Sequence, residues 1–130
     1  MDPSRLGFFD LAQKRLGWLD QRQQVLARNI ANADTPGWRG RDLRPFADVL
    51  ADASGAAPVR SSGRHMAGLL DPARNATVAS PGPTRMPDGN DVSVDDQLTR
   101  VANTETQQAM VTNLMKKYIS LFRMALGRGA

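Results

Sequence analysis

The chain has 130 residues, 41% of them hydrophobic and 5% aromatic, with 17 Lys+Arg against 13 Asp+Glu for a net charge of +4. That length suits one domain, but so few aromatics do not assure a large compact core. With no cysteine there is neither a disulfide nor a thiolate site, and the basic balance permits nucleic-acid or membrane-surface contacts without demanding them.

The opening stretch MDPSRLGFFDLAQKRLGWLD lacks the apolar run and small-residue cleavage site of a signal peptide. No segment approaches the ~20 apolar residues of a membrane span, so the expectation is a soluble chain outside the general secretory route. Phe9, Ala12, Leu16, Leu19, Gln23, Leu26, Ile30 and Ala33 alternate at spacings of three and four. That is a heptad seam with Gln23 as its polar member. It predicts a helix over about residues 5–33, with Ser4 as N-cap. The apolar stripe is narrow, flanked by Gln13, Lys14, Arg15, Asp20, Arg22 and Arg28. A coiled-coil partner fits it better than the wide face of a compact bundle.

The helix pattern ends in NIANADTPGWRGRD, residues 29–42. Asn29 and Asn32 share a helix face, and asparagine is a poor helix former because its amide competes for backbone groups. At a helix end that competition becomes useful, since the carboxamides can bond the last free carbonyls. Thr35, preceding proline, is pushed to an extended conformation. Pro36-Gly37 suits the centre of a type II turn, and Trp38 leaves it as a rigid anchor. A plain helix stop accounts for Pro36, Gly37 and Trp38 but leaves both asparagines and Asp34 without a role.

Residues 43–52 (LRPFADVLAD) predict a short helix with Pro45 in its first turn. Residues 53–90 are rich in Ser, Gly, Ala and Pro and lose all apolar periodicity, which predicts a flexible loop ending in the turn signal MPDGND. A second helix is expected over about residues 94–126. Its start is capped by Ser93 with Asp96 three residues on, and Gly127 marks its stop. Its seam reads Leu98, Val101, Glu105, Gln108, Thr112, Met115, Ile119, Phe122 and Leu126. Leu114, Tyr118, Leu121 and Ala125 make its second half apolar on more than one side, more than one partner helix covers. The organisation is therefore a mainly α chain. An N-terminal coiled-coil helix (1–33), a turn with a short amphipathic segment (34–52), a flexible loop (53–90) and a C-terminal coiled-coil helix (91–130) follow one another. The two long helices form either a hairpin or the core of an assembly.

Little of this points to an enzyme. His65 stands alone in a polar stretch, and a metal site needs further ligands at fixed spacing. No Gly-rich loop with lysine is present to hold phosphate. Asp95 and Asp96 are explained by capping, and Asn75-Ala76-Thr77 is a glycosylation pattern of the kind that arises by chance. No cofactor, metal or small-molecule substrate is expected.

With its Asn-rich helix end running into Thr-Pro-Gly and an aromatic residue, NIANADTPGWRGRD resembles the signature of the flagellar rod, hook and hook-filament junction proteins. Asp34, the basic-Asp segment after it, the DGN before the second helix and the short length are most similar to the proximal rod members. The resemblance covers both helices and the turn. Trp38 departs from it, standing where tyrosine is usual and lacking the hydroxyl.

The resemblance implies a structural subunit of the proximal rod, part of the drive shaft between the MS ring and export gate and the distal rod. It implies export through the flagellar type III apparatus without a cleaved signal, and a periplasmic place in the basal body. Its implied partners are other rod proteins, the rod-base junction protein, export-gate components and further copies of the chain. Phe9, Leu16, Leu19, Leu26 and Ile30 would pack with Val101, Met115, Ile119, Phe122 and Leu126, within or between subunits. Asn29, Asn32, Asp34, Thr35, Pro36, Gly37 and Trp38 would form the family turn. Phe46 to Leu50 (FADVL) matches the Phe-x-x-x-apolar pattern of export-gate recognition, although a short helix packing Phe46 and Leu50 explains it equally. Two other readings stay open: a basic helical nucleic-acid-binding protein, opposed by cations interleaved with acids rather than gathered in a stripe, and a coiled-coil adaptor, which gives no reason for the turn.

Overall fold

The computed structural model describes residues 3–54 and 77–127. The middle of the expected loop, with His65 and Asn75, lies outside the described residues. Five elements follow in order: α1 (Pro3–Ala31), β1 (Arg41–Leu43), α2 (Phe46–Ser54), β2 (Thr77–Ala79) and α3 (Val94–Ala125). The protein is mainly helical, with two long helices near its ends, as the two heptad patterns predict.

The helix boundaries follow local chemistry. Pro3 takes the first position of α1, where its missing N–H costs nothing, so Ser4 falls inside the helix instead of capping it. Ala31 is the last helical residue of α1. The Ala33 N–H bonds Ile30 O at 3.1 Å, the tightened geometry of a closing turn. Pro45 stands just before α2, and its carbonyl accepts from the Asp48 and Val49 amides. Ser93 caps α3, its Oγ accepting from the Asp96 N–H at 3.4 Å. The Asp96 carboxylate turns to Arg100 at 2.9 Å, one helical turn on. At the far end the Gly127 amide bonds Met124 O.

The two long helices run antiparallel. Asn29 meets Gln97, Asp20 meets Gln108, and Phe8 stacks on Tyr118 with ring centroids 4.6 Å apart, so contacts near the end of α1 fall at the start of α3 and the reverse. Phe9 meets the same Tyr118 ring edge-on at 5.7 Å. Along α1 the buried positions Ala12, Leu19 and Leu26 recur every seven residues, which keeps one narrow stripe against the partner helix.

The core is small and sits beside this hairpin. Trp18, Leu19 and Leu43 are buried together, with Val25, Phe46, Val49 and Val111 packed on them. The Trp18 indole N–H donates to Arg44 O at 2.9 Å, so the ring is buried with its polar edge satisfied. The Arg15 guanidinium lies 4.8 Å from the Trp18 ring and 4.9 Å from the Phe46 ring. Burial, aided by the nearby charge of Arg22, lowers its pKa below the ordinary arginine value.

Two features differ from the sequence reading. Residues 77–90, expected to belong to a flexible loop, carry β2 and a docked turn. β2 pairs antiparallel with β1 in the register Arg41↔Ala79, Asp42↔Val78 and Leu43↔Thr77. Three-residue strands leave no periodic trace in sequence, and here the order comes from partners more than 30 residues away. The face that α3 turns to α1 also differs. Gln97 and Thr104 are fully buried on it, and Val111 and Tyr118 are half-buried. Their neighbours Leu98, Glu105, Thr112 and Ile119 are exposed. Val101, Gln108 and Met115 belong to both stripes and are half-buried. A helix apolar on several sides does not declare in its sequence which side faces in.

Candidate assembly site

The chain leaves α1 through a four-residue turn. The Trp38 N–H bonds Thr35 O at 3.2 Å, and Gly37 has φ +73°, the left-handed value that the third position of a type II turn demands. Asn32 closes the helix end, its Nδ2 donating to Arg28 O at 2.8 Å and its Oδ1 accepting from the Thr35 hydroxyl at 3.1 Å. Thr35 and Pro36 are exposed. Asp34 is also exposed and makes no hydrogen bond or ion pair among the described residues.

Asn29 does something different from capping. It is buried, and its side chain faces the returning chain. Nδ2 donates to Arg41 O at 2.6 Å, while Oδ1 accepts from the Arg41 N–H at 3.2 Å. One carboxamide thus pairs both backbone groups of a residue in β1, as a neighbouring strand would. The same Nδ2 donates to Gln97 Oε1 at 2.9 Å, tying the end of α1 to the start of α3. The Trp38 indole N–H points at Asn29 Oδ1 from 3.5 Å. The indole therefore directs a donor into the cluster, although a hydroxyl is absent.

The segment before α3 completes the site. Asn90 is buried, and its Nδ2 donates to Asn32 O at 3.0 Å and Thr35 O at 2.7 Å. Its Oδ1 accepts from the Val92 N–H at 2.8 Å. The Gly37 amide bonds Asp88 O at 3.0 Å, and Asp91 Oδ1 accepts from the Gly40 amide at 2.6 Å. The carbonyls of Asn32 and Thr35 and the amides of Gly37 and Gly40 thus find partners in the other half of the chain, while the last helical carbonyls of Arg28, Asn29 and Ile30 are bonded locally. The approach is close enough to need glycine. A Cβ on Gly82 would sit 2.2 Å from Asp91 O.

A charged node braces the same corner. The Arg22 guanidinium pairs both oxygens of Asp42, Nε to Oδ1 at 3.0 Å and Nη2 to Oδ2 at 2.8 Å. Arg100 reaches Asp42 at 3.4 Å and the Ser80 hydroxyl at 2.5 Å. Asp42 on β1 thus joins α1 to α3, in the bidentate geometry that makes arginine–carboxylate pairs strong. Arg44 pairs with Asp52 at 2.8 Å. These contacts engage Arg22, Arg44 and Arg100 within the chain.

The residues expected at helix seams divide into two groups. Leu19 and Leu26 are buried, and Phe9, Leu16, Ile30, Val101 and Met115 are half-buried in the hairpin. Phe122 (37% exposed) continues the Val101, Gln108, Met115 series that both stripes share, while Ile119 (38%) and Leu126 (60%) lie on the outside. Met110, Leu114, Leu121 and Met124 join them, leaving the second half of α3 with apolar surface on the side away from α1. In α2, Phe46 packs on the core and Leu50, one turn on, is exposed; Val49 packs in its place.

Four residues that the structure makes central carry no prediction from sequence: Asp42, Asn90, Asp91 and Gln97. Asn90 and Asp91 lie in a DGND stretch that reads as a turn and as part of the family resemblance but names no partner, and their partners lie more than 50 residues away. Among the described residues no group of His, Cys, Asp or Glu is placed to hold a metal, and no helix is long and apolar enough to cross a membrane.

Residues 9–39 match the family model described as flagella basal body rod protein. The chain is 36% identical to the flagellar basal body rod protein FlgB of Escherichia coli K12 over 113 residues, 75% of this chain and 77% of that protein. It is 33% identical to FlgB of Salmonella typhimurium LT2 over 108 residues, again 75% and 77%. It is 28% identical to FlgB of Agrobacterium fabrum over 132 residues, 98% and 97%. The helix-end turn, the hairpin that it closes and these matches together place the chain in the flagellar basal body rod protein family, among the FlgB members.

Proposed function

We propose that the chain is a structural subunit of the flagellar basal-body rod and, more narrowly, that it builds the proximal segment joining the MS ring and export gate to the distal rod. The observation that carries this reading is the corner where α1 ends. Asn29, Asn32, the Thr35–Trp38 turn and Asn90 hold the helix end and the start of α3 as one hydrogen-bonded unit. Such a unit transmits torque with little slack, because the bend is held by hydrogen bonds from both halves of the chain. The family membership supports the rod assignment.

The apolar outer side of α3, with Leu114, Ile119, Leu121 and Leu126, packs on neighbouring subunits in this reading, and the partners are other rod proteins, the rod-base junction protein and further copies of this chain. Phe9, Leu16, Leu19, Leu26, Ile30, Val101 and Met115 hold the hairpin. The chain reaches the rod through the flagellar type III apparatus, with Phe46 and Leu50 recognised at the gate before folding, and is neither enzyme nor nucleic-acid binder.

Fractionation tests it. Purified basal bodies contain the chain, cells without the chain are non-motile and lack rods, and cells without the export apparatus retain it in the cytoplasm. A chain found only free in the cytoplasm of flagellated cells overturns the assignment.

A further inference from the structure

α3 offers two overlapping stripes to a partner helix. One contains Gln97, Thr104, Val111 and Tyr118, the other Leu98, Glu105, Thr112, Ile119 and Leu126. They share Val101, Gln108 and Met115 and differ by one residue in between. The second stripe is more apolar at both ends, yet the first faces α1. Gln97 and Thr104 are fully buried while Leu98 is 51% exposed. Hydrophobic burial alone does not choose the observed rotation: turning the second stripe inward gains Leu98 and Ile119 but gives up Val111 and turns Glu105 in.

The buried face is also costly in hydrogen bonds. Gln97 Nε2 is buried without a partner, and burying an unpaired amide is unfavourable. What the inward rotation gains is the Asn29 Nδ2 to Gln97 Oε1 bond at 2.9 Å between two side chains that are 1% and 0% exposed. We propose that this pair is a rotational lock: Asn29 and Gln97 hold α3 with its more polar stripe against α1 and so keep Leu98, Ile119 and Leu126 outward. A single buried polar pair that selects among near-equivalent helix packings is the best-attested use of such groups.

Other contacts lie on the same face but choose the rotation less sharply. Arg100 reaches Asp42 and Ser80 from a side chain that remains a quarter exposed, and a long guanidinium stem follows a modest helix rotation. The Phe8, Phe9 and Tyr118 rings touch through broad apolar surfaces. Among the described residues only the amide pair combines full burial with a directional bond at the point where α1 is fixed by its own turn. The lock is a property of the single chain. Its consequence for assembly, that the outward stripe is presented to neighbours, rests on the rod reading.

The absence of cysteine makes the test direct. Single cysteines at Leu98, Thr104, Val111 and Ile119 are placed in the purified full chain, and thiol alkylation rates are measured with and without Gln97→Met or Asn29→Ala. With the lock intact, Leu98→Cys and Ile119→Cys react at least ~10-fold faster than Thr104→Cys, with Val111→Cys between them. In both lock variants that contrast falls to within about threefold as α3 samples both rotations. Circular dichroism shows the same helical content throughout. An unchanged contrast in both variants overturns the lock, as does uniform labelling with the lock intact. Loss of helix in both variants also overturns it, because a group that only selects rotation leaves the helices formed. None of these readouts depends on whether the chain enters a rod.

Discussion

Asn90 illustrates how much of this protein hangs on single carboxamides. Its Nδ2 serves Asn32 O and Thr35 O, and its Oδ1 serves the Val92 amide. Asn90→Ala takes the acceptor from the buried Val92 amide and one of two donors from Asn32 O and from Thr35 O, so the full chain loses about 1–3 kcal/mol of stability, read as a lower urea midpoint. A midpoint equal to that of the unaltered chain refutes the role given to Asn90. Of the two asparagines that sequence singles out, Asn32 bonds the helix-end carbonyl as a local rule predicts. Asn29 instead binds the backbone of Arg41 and the side chain of Gln97. The residue types were readable from poor helix propensity at a helix end. Their partners were not, because hydrogen bonds to distant segments leave no local spacing in the chain.

The elements themselves were largely legible. Heptad spacing over many turns averages out local noise, which is why α1 and α3 stand where the pattern puts them, to within about two residues. The three-residue strands and the docked segment 80–92 have no such redundancy. Orientation about the helix axis is the other illegible quantity. Leu26 and Leu98 both occupy heptad positions in the sequence, yet Leu26 is 0% exposed and Leu98 points out. Leu26→Ala therefore costs about 2–5 kcal/mol through lost burial and the cavity left behind. Leu98→Ala stays within about 0.5 kcal/mol. Thermal unfolding of the two variants side by side checks this, and equal losses would mean that the assigned face of α3 is wrong.

The whole molecule is a hairpin with one well-bonded end and one apolar end. The corner around Asn29, Asp42 and Asn90 is dense in directional bonds, whereas the far half of α3 exposes Leu114, Leu121 and Met124. Leu121→Asp places a charge on that exposed surface. In the purified chain it changes helical content and melting little, since the side chain is already half in water. In cells it prevents incorporation into basal bodies and stops swimming, because a buried unpaired carboxylate is expensive at an interface. Normal rods carrying Leu121→Asp would remove this surface from the assembly contacts.

By itself the sequence determined the two long helices, the Thr-Pro-Gly turn between α1 and the returning chain, the absence of thiol chemistry and the family. These all follow from interactions within a few residues, or from a motif whose members are adjacent. The tertiary structure alone decided which stripe of α3 faces α1, that residues 77–92 dock on the turn, and that Asn90, Asp91 and Asp42 are the groups that hold it. Those choices depend on hydrogen bonds between segments 20 to 70 residues apart. A few directional polar contacts make them, and no local spacing in the sequence announces such contacts.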